Sequence, residues 1–301
     1  QPHYRNVPLG VMLMNVNLEF LLNQIMNGVS FGSILFLLAS GLSLIFGVMR
    51  IVNIAHGSYY MLGGYVGLSV VRVTGNYYLA ILSAAVAIAV VGLLMERFFL
   101  RRYYLQDMPQ VLLTMGFALI FRDLTFLIWG GDPFSLPAPK YLQGSLHLGE
   151  FFFPVFRVFT VLVAMVVVIG LWLFYEKTSV GAKLRACVDD HEMASGVGIN
   201  VPLVMGSMFA MGAALAAFGG AIGGTFFGVY PSADFELLPL AFVVVILGGM
   251  GSLKGAVVGS VLVGLIDTFG KALLPDLSYF TLFAPMAIML AIKPTGLFGR
   301  K

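Results

Sequence analysis

Nine apolar stretches follow one another along this chain, at 20–48, 54–72, 77–95, 109–130, 157–175, 202–228, 236–250, 255–273 and 279–293. A helix needs roughly 20 apolar residues to cross about 30 Å of hydrocarbon. Most of the stretches approach that length, so the solvent of this chain is largely lipid. Composition agrees: 10% of the residues are charged, against about 25% in an ordinary soluble domain. Several stretches are broken by glycine, and one re-entrant piece would turn nine crossings into eight. The expected fold is an all-α integral membrane protein: a polytopic helical bundle of 8–9 transmembrane segments with Gly-broken or re-entrant helices.

Orientation follows from the cations, because cytoplasmic loops are enriched in Lys and Arg. With 96–108 placed inside (Arg97, Arg101, Arg102), alternation also places inside 176–200 (Lys177, Lys183, Arg185) and the C-terminus (Lys293, Arg300, Lys301). Arg50 and Lys254 fall on the same side. Eleven cations then lie inside, against four outside: Arg5, Arg72, Lys140 and Arg157. Nine crossings give an outer N-terminus, and an even number would bring it in. The outer loop 131–156 carries Pro133, Pro137, Pro139 and Pro154, which argue against a long helix there. The inner segment 176–200 is polar and reads as a helix, with Thr178 or Ser179 capping its start and Gly196 or Gly198 its end. Residues 1–17 read as an N-terminal extension without the features of a signal peptide, ahead of a single transmembrane domain over 18–298.

Lipid offers no hydrophobic drive between helices, so association rests on the close approach that small residues allow. Gly212, Ala216, Gly220, Gly224 and Gly228 recur every four residues, and Gly251, Gly255 and Gly259 repeat the pattern. Helix packing is the plain reading; a helix that slides or hinges is the sharper one. Residues 45–65 and 245–260 share a layout of apolar run, glycine, short polar inner turn and small-residue helix, and transporters are often built from such repeats.

Enzymatic chemistry finds little support. The stretch from Gly248 to Gly255 is glycine-rich, but it lacks the Gly-Lys-Ser/Thr ending of a nucleotide-binding loop and lies between spans. Neither a zinc-protease helix motif nor a nucleophile elbow is present. The single cysteine, Cys187, excludes an intramolecular disulfide and has no Cys or His partner at metal-ligand spacing. Net charge is +3 without a basic run, so no nucleic-acid partner is expected. The chain reads as having no catalytic, cofactor-binding or metal site.

Three segments carry a family resemblance. Gly181, Arg185, Ala186, Asp190, Ala194, Gly198, Ile199 and Asn200, in that spacing, resemble the cytoplasmic coupling segment of the branched-chain amino-acid importer permeases, the LivH/LivM-type family. Asn53-Ile54-Ala55-His56-Gly57, followed by Met61-Leu62-Gly63-Gly64-Tyr65, looks like that family's N-x-A-H-G signature. Gly248-Gly249-Met250-Gly251-Ser252-Leu253-x-Gly255 is similar to its later glycine motif. The similarity runs from Asn23 to Phe298. It implies a multi-pass permease subunit of an ATP-driven (ABC) importer for branched-chain or related small amino acids in a bacterial inner membrane. Related permeases carry urea, amides or small organic acids. The implied partners are a second permease subunit in a heterodimer, two cytoplasmic ATPase subunits that hold ATP and Mg, and a periplasmic solute-binding protein. This chain itself would bind no cofactor. By the resemblance, Gly181, Arg185, Ala186, Asp190, Ala194 and Gly198 couple to the ATPase. Asn53, His56, Gly57, Gly248, Gly249, Gly251 and Ser252 line or gate the pathway. Gly220, Gly224, Gly228, Gly255 and Gly259 pack helices.

The polar residues carry a second layer of expectation. Arg185 and Asp189 stand four apart, a weakly favourable helical pair. His56 lies by the inner membrane edge, either bonding a backbone carbonyl freed by the glycine break or serving substrate or gating. Arg122 and Asp123 fall inside the fourth stretch, where a charge costs about 2.5–3.5 kcal/mol; partnered or snorkelling charges compete with a substrate role. Asp267 and Lys271 can pair, or meet the binding protein. The mechanism expected is mechanical: ATP binding at the partner shifts the population between outward and inward forms. Few charges line the path, which suits a small neutral or zwitterionic substrate held weakly. The rivals are an ion-coupled secondary transporter or channel, a membrane-embedded enzyme and a purely structural assembly role.

Overall fold

A computed structural model describes residues 18–49, 52–104, 106–148 and 151–299. The N-terminal extension 1–17, with Arg5, and the cations Arg50, Arg300 and Lys301 lie outside the described residues.

Every apolar stretch contains one long helix. In chain order these are α1 (Leu18–Met49), α2 (His56–Thr74), α3 (Tyr77–Phe98), α4 (Asp107–Trp129) and α5 (Val155–Lys177). Two short helices, α6 (Ser179–Asp189) and α7 (His191–Gly196), separate them from α8 (Val201–Phe226), α9 (Ala233–Gly248), α10 (Leu253–Leu273) and α11 (Ser278–Ile292). Local signals set the bounds. Gly75 ends α2 at φ +68°, and the Asn76 side chain then caps α3 by accepting from the Leu79 amide at 3.0 Å. Asn200 and Ser252 cap α8 and α10 in the same way, satisfying donors that a helix start leaves open.

Among the described residues seven helical stretches are long and apolar enough to cross a membrane, the last of them α11 together with the short helical turn 275–277 that leads into it. The two that fall short are α2, which carries His, Ser, Tyr and Gly among its apolar residues, and α9, with 16 residues. Helix α1 is the axis of the bundle: every residue from Ser30 to Ser43 is buried. It packs along α8 and α10, and α2 and α3 pack along α8. In lipid this burial gains dispersion contacts, at about 0.1–0.2 kcal/mol per well-placed atom pair, rather than release of water. The outer faces of α4, α5 and α11 stay apolar and exposed, as at Leu127, Val166 and Ile292, which suits acyl chains.

The outer loop forms no long helix, as its prolines predict. It does form an antiparallel hairpin, Ser145–Leu148 against Phe151–Pro154, which the sequence reading lacked. Ahead of the hairpin the loop dips into the bundle. Phe134 exchanges backbone hydrogen bonds with Val229 at 2.7 and 2.9 Å, and the Leu136 amide donates to the Gly224 carbonyl. Arg72 lies over the Phe134 ring at 4.4 Å.

Candidate functional site where two short helices meet

Helix α2 does not start at the inner surface. His56, its first residue, is fully buried, and its Nε2 lies 2.9 Å from the Leu38 carbonyl of α1. Leu38 precedes the end of α1 by 49 − 38 = 11 residues, about 16 Å at 1.5 Å per residue. This corrects the expectation of a histidine by the inner edge: the chain after α1 folds back into the bundle before α2 begins. Helix α9 mirrors this from the other side. After α8 ends at Phe226, residues 227–232 descend past Val229, and α9 begins beside the first turn of α2. There Ser58 Oγ donates to Asp234 Oδ2 at 3.1 Å. A Cβ on Gly57 would collide with the Asp234 carbonyl and with Leu238, so glycine is what lets the two starts touch.

Non-helical backbone at this depth must be satisfied by protein, and it is. The His56 amide donates to the Asn53 carbonyl, the Ile54 amide to Thr114 Oγ1 of α4, and the Ala233 amide to the Tyr230 carbonyl. Asp234 is 3% exposed and also accepts from the Phe235 amide at 2.9 Å. Its carboxylate sits in the first turn of α9 and against the first turn of α2, where both helix dipoles favour an anion. His56 Nδ1 and the Tyr60 hydroxyl are buried there without hydrogen-bond partners among the described residues, and the buried Asn53 side chain faces Tyr59.

From this crossing a cleft of about 620 Å³ runs along α9 from Phe235 to Met250. Its walls are almost wholly apolar, among them Leu42, Leu238, Phe242, Phe283 and Met286. It ends at the inner turn between α9 and α10, where Gly249 (φ +106°) and Gly251 (φ +76°) allow a tight reversal. Ser252 caps α10 there. The C-terminal segment straps the turn, Leu297 and Phe298 donating to the carbonyls of Leu247 and Gly248. The two sequence motifs are therefore not brought together. Gly251 touches Gly47, which is 47 − 38 = 9 residues along α1 from Leu38, about 13 Å; the cleft is what joins them. Among the packing glycines, Gly220 meets the Tyr60 backbone, Gly224 meets Val229, Gly255 meets Gly248 and Gly259 meets the Val244 carbonyl. Gly228 lies past the end of α8 at φ +88°, and Gly251 precedes α10. The four-residue pattern thus runs out of helix into turns.

The inner segment forms two helices where one was expected. Thr178 caps α6, accepting from the Gly181 amide at 3.0 Å. Asp190, in extended backbone, ends it and caps α7 by accepting from the Met193 amide at 2.9 Å. Gly181, Leu184, Cys187 and Ala194 are buried, with Gly181 seated on the carbonyls of Phe174 and Tyr175. Arg185 donates to the Tyr175 carbonyl, its guanidinium 5.2 Å from that ring, and Ala186 is half-buried. Gly198, at φ +87°, turns the chain towards α8. Of the six candidate coupling residues, Gly181 and Ala194 thus seat the pair, while Val180, Met193 and Val197 form its exposed apolar face. Burial holds the Cys187 thiol above its ordinary pKa.

A neighbouring cluster escaped the sequence reading. Glu96 ends α3 fully buried and accepts from Arg101 Nε at 3.1 Å, Arg101 Nη2 at 2.9 Å and the Tyr104 hydroxyl. Arg101 also donates to the Pro202 carbonyl at the start of α8. The carboxylate raises the arginine's pKa, and burial together with the carboxylate pushes the Tyr104 phenol far above its usual range. The five-residue spacing of Glu96 and Arg101 was the available signal. On the outer side, Lys271 Nζ pairs with Asp267 at 2.7 Å.

Comparison with known proteins agrees with this architecture. The family model described as the branched-chain amino acid transport system permease component matches residues 24–291. The high-affinity branched-chain amino acid transport system permease protein LivH of Escherichia coli K12 is 29% identical, over 95% of this chain and 98% of that protein. LivH of Salmonella typhimurium is 28% identical over the same shares. BraD of Pseudomonas aeruginosa is 29% identical over 93% of this chain and 96% of that protein. With the match running from α1 to the last turn of α11, through the α2–α9 crossing, the α6–α7 pair and the inner glycine turn, this chain belongs to the branched-chain amino acid transport permease family.

Proposed function

We propose that the chain is one permease half of an ATP-driven importer for branched-chain or related small amino acids, in a bacterial inner membrane. The observation that carries this reading is the crossing of α2 and α9 with its cleft: two short helices start at mid-depth, and an apolar passage leads from there to the inner turn. Such broken helices at the midplane are where transporters hold substrate. In this arrangement the cleft is the inner half of the path, and loop residues 134–136 cover the outer half. The nine segments alternate across the membrane, α2 and α9 each completing a crossing begun by the non-helical backbone before it, with the N-terminus outside and the C-terminus inside. A second permease seals the lipid-exposed side of the cleft between α4 and α11. The exposed apolar face of α6 and α7 docks one of two ATPase subunits, which hold ATP and Mg, and a periplasmic binding protein delivers substrate to the outer face.

The test is uptake by the assembled complex in proteoliposomes. ATP-dependent leucine uptake that requires the binding protein is expected. Val180→Asp or Met193→Asp should abolish it and release the ATPase, with the thermal midpoint unchanged. Uptake by this chain alone, driven by an ion gradient and indifferent to nucleotide, would refute the reading in favour of a secondary transporter.

A further inference from the structure

Arg122 is a cation set within the apolar helix α4. It lies on α4, 129 − 122 = 7 residues from the outer end of that helix, about 10 Å deep. Its neighbour Phe121 reaches the Tyr59 ring of α2 at 6.2 Å, so it is level with the crossing. A cation there costs about 2.5–3.5 kcal/mol on insertion scales, and such residues mark functional sites in membrane proteins. Snorkelling does not account for it: the guanidinium reaches across to α9 and lies 5.4 Å from the Phe235 ring centroid. Long-range attraction to the Asp234 carboxylate offsets this cost only in part, because the two are not in contact. Among the described residues Arg122 forms no ion pair. The nearby Asp234 carboxylate is held by Ser58 and the Phe235 amide. Arg122 is half-exposed, and Phe235 beneath it is the first wall residue of the apolar cleft.

We propose that Arg122 recognises the carboxylate of an aliphatic amino acid whose side chain lies in the cleft along α9. This deepens the importer reading and rests on it. The guanidinium offers a planar fork of donors that matches a carboxylate bidentately. Below it, Leu238, Phe242 and Met286 offer only apolar contact, in a volume within the roughly 300–1,000 Å³ of ligand sites. Pro239, also in the wall, has no N–H to return to the Phe235 carbonyl, which leaves a main-chain acceptor for the substrate ammonium on the residue whose ring the guanidinium approaches. One charged end and one apolar body fit an aliphatic zwitterion. They do not fit an acyl chain, and at this depth the cation is out of reach of lipid headgroups.

The test uses the complete assembly in nanodiscs, without binding protein or nucleotide. Saturation-transfer NMR would compare leucine with isoamylamine, which is leucine without its carboxylate. Native assembly should bind leucine at least about tenfold more tightly. Arg122→Gln should remove that preference and leave isoamylamine binding unchanged, while Arg122→Lys restores part of it. Leu238→Trp should weaken both ligands. An unchanged preference in Arg122→Gln, or an equal loss of both ligands with a lowered thermal midpoint, overturns the proposal. So does leucine binding unaffected by Leu238→Trp, which would mean that lipid or the second permease fills the cleft. If native assembly takes up leucine with ATP while the preference survives Arg122→Gln, only this inference fails; if it takes up none, the importer reading fails first.

Discussion

Removing Arg101 should destabilise the inner end of the bundle more than any other single charge deletion. The Glu96 side chain is wholly buried, whereas that of Arg101 is 35% exposed. Arg101→Ala would leave the carboxylate with the Tyr104 hydroxyl as its one remaining donor among the described residues, and would untie α3 from the Pro202 carbonyl. Deleting one partner of a buried ion pair costs about 3–5 kcal/mol. The partial exposure of Arg101 places this case at the lower end, about 3 kcal/mol. At roughly 2–4 °C per kcal/mol, the thermal midpoint of the purified chain should fall by about 6–12 °C. Replacing both partners, as Glu96→Leu with Arg101→Met, should recover most of that loss, because no uncompensated charge stays buried. The measurement is thermal unfolding in detergent for the two single variants and the double variant. A midpoint within 1 °C of native for Arg101→Ala, or a double variant worse than the sum of the singles, refutes the argument.

Other outcomes follow from the same geometry. Gly57→Val should hold α2 and α9 apart and abolish ATP-coupled uptake while the protein still inserts; normal uptake in proteoliposomes would mean that the close approach is dispensable. Ser58→Ala removes a hydrogen bond to a buried carboxylate and should cost about 1–3 kcal/mol, read from thermal unfolding. Cys187 should react slowly with maleimide at pH 7 and faster as pH rises: its raised pKa keeps the thiolate, the reactive form, scarce at neutral pH. Gly181→Val, which drives a side chain into the Phe174 and Tyr175 carbonyls, should unseat α6 and accelerate that labelling; an unchanged rate would contradict the seating.

Much of the fold was legible because lipid imposes one dominant rule. The nine apolar stretches correspond to nine long helices, and the caps at Asn76, Asn200 and Ser252 mark the starts of three of them. Depth was not legible. Nothing in a hydropathy pattern says that His56 begins a helix at the level of Leu38, because the returning segment 52–55 is itself apolar apart from Asn53. Asp234 passed unnoticed for the same reason: only the distant Ser58 gives it meaning. The break at Asp190 is the opposite case. Its short carboxylate is a better cap than helix former, and that signal stood in the sequence beside the longer polar pattern that hid it.

The meeting of the α2 and α9 starts has a consequence for bioenergetics. Each start carries roughly half a positive elementary charge from its aligned peptide groups, and Arg122 adds a whole one, against the carboxylates of Asp234 and Glu236 in the first turn of α9 and of Asp123 beside Arg122. The crossing therefore carries no surplus of positive charge, and its charges face one another instead of the bulk. A zwitterionic solute moving through it would carry no net charge across the membrane voltage, so its uptake would neither draw on nor dissipate that voltage.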